Sequence, residues 1–181
     1  MTFNQLYSGC TPNPSAYWAY DGNLHKFINV FTDSTPTEAP VSWPIAVSTT
    51  GGSLASPNYD SVSGNIFVGD YELNLDLSCG SVGGSLDGQC GFLYSVNSET
   101  GAVTQSAQFD YNLGIYDVVV DPAAEMVYAF VGADDSTSCS GGSCAAVFQL
   151  PPTFSRGASG TEATVGAGYE SLFAGSFDNQ Y

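Results

Sequence analysis

The chain has 181 residues, 18 of them acidic and two basic, for a formal net charge of −16, and 43% of it is hydrophobic. Such a balance argues against nucleic acid and anionic membranes as partners, because holding phosphates takes clustered Lys or Arg and only Lys26 and Arg156 are present. No run approaches the roughly 18 consecutive apolar residues of a spanning helix, so no membrane insertion is expected.

Composition points to strands. Aromatics make up 13% of the chain and 21 glycines punctuate it, a mixture that suits pleated, half-buried surfaces joined by tight turns. The first aromatic segment follows Cys10 and reads AYWAYDGNL, running into NLHKF, which is expected to be the fourth strand of an early unit. Residues 32–44 (TDSTPTEAPVSWP) hold three prolines and read as a surface loop. TTGGS at 49–53 is a turn that opens the next unit.

An internal repeat begins there. Placing Asp60 over Asp121, an offset of 61 residues, aligns LASPNYDSVSGNIFV with IYDVVVDPAAEMVYA. Each copy reads as an apolar strand, an Asp-led turn and a second strand. The recurrence of Asp60, Asp121 and Asp178 at one repeat position points to side chains that cap turns. After each second strand comes an acidic, Gly-rich excursion with two cysteines, CGSVGGSLDGQC at 79–90 and CSGGSC at 139–144. A third strand follows, GFLYSV in one copy and AAVFQL in the other, then a turn and a fourth strand, with Gly22 in the place of Gly101 in the earlier unit. The units are expected at about 1–50 (partial), 51–112, 113–168 and 169–181 (partial), in one β-repeat domain.

The string VVVDPAAEMVYAFV, with its strand, Asp-Pro turn and second strand, resembles the NHL, YVTN and quinoprotein-type propeller repeats of bacterial secreted proteins. GFLYSVNSETGAV resembles their aromatic strand ending in a polar, Gly-containing turn. The resemblance covers most of residues 10–181. It implies an all-β fold of propeller-like four-stranded antiparallel blades, here a partial ring of about three repeat units, and it implies no particular activity. The cysteine-bearing loops depart from that pattern, as does a period near sixty residues where roughly forty-odd is usual.

Cys79 with Cys90 and Cys139 with Cys144 read as two hairpin-tip disulfides, since no histidine lies near them and neither spacing suits a zinc knuckle. That places the protein in an oxidising compartment, secreted or at the cell surface. The N-terminus lacks a signal peptide, so an exported form is expected to have lost its leader. Cys10 remains over, and a partner upstream of Met1 is expected. The chain reads as a piece that starts in one unit and stops in another, and its open blade edges are expected to promote self-association.

Carboxylates are the abundant reactive groups. Asp70, Glu72 and Asp76 alternate along DYELNLD, so on a strand they share a face with Asn74. Three readings stay open: a solvated acidic hairpin, a calcium site, or a carboxylate pair for glycoside hydrolysis. His25, the single histidine, has no G-x-S-x-G elbow to serve and is expected to be a non-catalytic blade-edge residue. One imidazole cannot build a copper, iron or zinc centre. Tyr17, Trp18, Tyr20, Phe92 and Tyr94 suit packing between blades, whereas Trp43 in the SWP loop is the candidate for stacking on a sugar ring. The reading that unites these features is an extracellular binding or structural scaffold with a carbohydrate or protein ligand and no required cofactor. Its alternative is an extracellular carbohydrate-active hydrolase using paired carboxylates.

Overall fold

Alternation of apolar side chains with period two makes strands, and the computed structural model contains thirteen of them and no helix among its described residues. Those residues are 2–4, 15–20, 22–28, 37–39, 43–47, 54–55, 57–69, 92–105, 115–134, 144–155 and 160–167. The strands form three sheets, taken in chain order, in which every pairing is antiparallel.

The first sheet orders β1 (Thr2–Asn4), β2 (Ser15–Tyr20), β3 (Asn23–Ile28) and β4 (Thr37–Glu38), and β5 (Ile45–Ala46) also pairs with β3. The second orders β6 (Asn58–Tyr59), β7 (Asn65–Gly69), β8 (Leu93–Asn97) and β9 (Val103–Gln105). The third orders β10 (Ile115–Asp121), β11 (Met126–Asp134), β12 (Cys144–Leu150) and β13 (Thr161–Ala167). The second and third sheets are thus plain four-stranded meanders, neither of them closed.

The turns are where the repeat is written most clearly. Asp60 accepts hydrogen bonds from the backbone N–H groups of Val62 (3.0 Å) and Ser63 (3.1 Å). Asp121 accepts from Ala123 (2.9 Å) and Ala124 (3.1 Å). Both aspartates therefore do what their matched positions led one to expect, closing the hairpin that joins the first two strands of a sheet. Gly22 and Gly101 both take left-handed φ, 69° and 73°, but Gly22 joins the second and third strands of its sheet (β2–β3) and Gly101 the third and fourth of its own (β8–β9), so the expected match between them does not hold in strand order.

The first sheet corrects two expectations. NLHKF, expected as an outermost fourth strand, is interior, because β4 and β5 both pair along its far side. The stretch 32–44, expected to be loop, contains β4, whose Thr37 and Glu38 pair with Ile28 and Phe27. Pro36 and Pro40 flank that two-residue strand rather than interrupt it, which is how proline is tolerated beside a sheet.

Packing joins the three sheets. Along β7, Ile66 and Val68 point into a core shared with Tyr17, Leu24 and Val47 of the first sheet and its flank. Phe67, between them, points the other way into a core shared with Ile115, Val127, Ala129 and Phe148 of the third. On β8, Tyr94 and Val96 belong to the first core, with Phe92 just before the strand, and Leu93 belongs to the second. The middle sheet is therefore covered on both faces, and each of its fully buried side chains contributes about 1.5–3 kcal/mol by leaving water. Between sheets the close approaches involve early strands: β10 lies against β6 and β7, and β1 against β6. At Gly69 the approach is so tight that an added Cβ would overlap Ile115.

Candidate functional site

On β3, Leu24 enters the core between the first two sheets, so Lys26, two residues on, projects toward the same seam. Its ammonium sits 5.7 Å from the centroid of the Tyr17 ring and 5.7 Å from that of Trp43. It also donates a 3.1 Å hydrogen bond to the carbonyl of Ser98, in the β8–β9 turn of the second sheet. Tyr17 is fully buried and meets Trp43 in a tilted contact at 5.7 Å and Tyr59 of β6 in a stacked one at 6.2 Å. Two aromatic rings from two segments thus face one cation where two sheets meet, and a third, Tyr59, stacks on one of them.

Electrostatics follow from that placement. Burial lowers the Lys26 pKa, and the carboxylate of Glu99 pulls it partly back. Burial raises the Tyr59 pKa, and the charges of Asp60 and Glu99 raise it further, while a hydrogen bond with Ser98 acts in the opposite direction. Cation–π attraction is worth about 0.5–1 kcal/mol at exposed sites and about 2 where the cation is desolvated. The arrangement satisfies a half-buried charge within the chain and ties β2, β3, the 43–47 segment and the β8–β9 turn together.

Trp43, expected as a sugar-stacking ring, is half-buried against Tyr17 and the core, and a cis Trp43–Pro44 bond leads from it into β5. Trp18, by contrast, is half exposed at 50%, on the face of β2 opposite Tyr17. Its register partner in β3 is His25. The His25 side chain is buried, its Nδ1 is hydrogen-bonded to Glu38 of β4, and its ring stacks on Phe27 at 6.4 Å. His25 is accordingly an interior histidine held by a carboxylate, in place of the edge residue expected.

Asp70, Glu72, Asp76, Cys79, Cys90 and Cys139 lie outside the described residues, as do Cys10, Asn74 and Asp178. Cys144 opens β12 with its Cα opposite Asp134. Among the described residues no group of three or more His, Cys, Asp or Glu side chains could hold a metal ion. No helix among them is long and apolar enough to cross a membrane. Sequence reasoning set Lys26 aside as one of two scarce cations; its alternation with Leu24 was the signal that it turns inward. No family model, curated protein or solved structure matches the chain.

Proposed function

We propose that the chain is a propeller-type binding or structural scaffold that works outside the cell, each four-stranded sheet serving as a blade. One observation carries the reading: three antiparallel sheets in chain order pack face on face, with the middle one covered on both sides and the early strands closest. A meander that buries one face on each neighbour is what a stacked or radial β repeat requires, because no unit is stable alone. Cysteine pairs in Gly/Ser loops and the scarcity of basic residues support an exported setting.

Native-state hydrogen exchange tests the reading directly. Amides of β7 and β8 should be the most protected, and all three sheets should open together as urea is added. Equal protection with separate opening of each sheet would overturn the scaffold as a stacked unit. The non-enzymatic part has its own control, since release of reducing sugar from neutral polysaccharides by the purified chain would replace the scaffold with a hydrolase.

A further inference from the structure

We draw no further inference here: the strongest candidate, the side-chain cluster of Lys26, Tyr59 and Ser98 at the seam between the first and second sheets, belongs to the site already described, its ammonium held by the Tyr17 and Trp43 rings and the Ser98 carbonyl.

Discussion

Glu125 stands where Gly64 stands one repeat earlier, and both have left-handed backbone, φ 52° and 71°. The left-handed region costs a residue with a Cβ about 1–2 kcal/mol, and glycine gives back part of that through its freer unfolded chain. Glu125→Gly should thus stabilise the protein by about 0.5–1 kcal/mol, read as a higher urea midpoint with unchanged slope. The two turn aspartates differ in surroundings, since Asp60 is 1% exposed and Asp121 is half-buried. Removing a buried acceptor from partly shielded hydrogen bonds costs more than removing one that water can replace. Asp60→Ala should cost about 2–3 kcal/mol and Asp121→Ala about 1 kcal/mol in the same assay. Tyr59 adds a pH dependence. Its pKa is raised above 10.0, mainly by burial, so the folded state favours the neutral phenol. The associated stability is complete below that value and is lost as pH climbs through the raised folded pKa. Tyr59→Phe, which cannot ionise, should lose less melting temperature between pH 9 and 11 than the wild type; equal slopes would remove the phenol from the account.

Between elements, the decisive contact is β7 against β10. Gly69→Ala places a methyl group into the Ile115 side chain, and the cost depends on whether β10 can retreat. A loss of about 1–3 kcal/mol is expected, and Gly69→Ala combined with Ile115→Val should recover part of it, which a double-mutant cycle by urea denaturation measures. This contact also shows what a sequence can and cannot disclose. Asp60, Asp121 and the repeated apolar runs on either side of them are local signals, and they foretold the turns, the strands and the four-stranded order of the second and third sheets. The first sheet was misjudged because β4 and β5 pair with β3 from distant positions with only two residues each, too short to carry a periodic pattern. The Lys26 cluster draws on β2, β3, β6, the 43–47 segment and the β8–β9 turn, and no spacing in the chain announces that meeting. The exposures of Trp43 and Trp18 were hidden for the same reason, since exposure is decided by what packs on top, which lies far away in sequence.

For the whole molecule, charge opposes what the cores achieve. Eighteen acidic groups against two basic ones leave the folded state under self-repulsion that salt relieves over a distance of about 10 Å at 0.1 M. The melting temperature should rise steadily as NaCl is increased from low ionic strength to 0.5 M at dilute protein concentration, where association makes no contribution; a flat response would show that the acidic groups are too far apart to matter. The middle sheet carries a different consequence. Because Ile66 and Val68 serve one core while Phe67 serves the other, β7 transmits any change in volume on one side to the other side. A substitution that swells the first core should be tolerated best when accompanied by a smaller residue in the second, even though the two side chains never touch. In a diverging lineage the middle sheet would therefore change slowly and in compensated pairs, while the flanking sheets, each with one face outside these cores, would be free to drift and to acquire new partners.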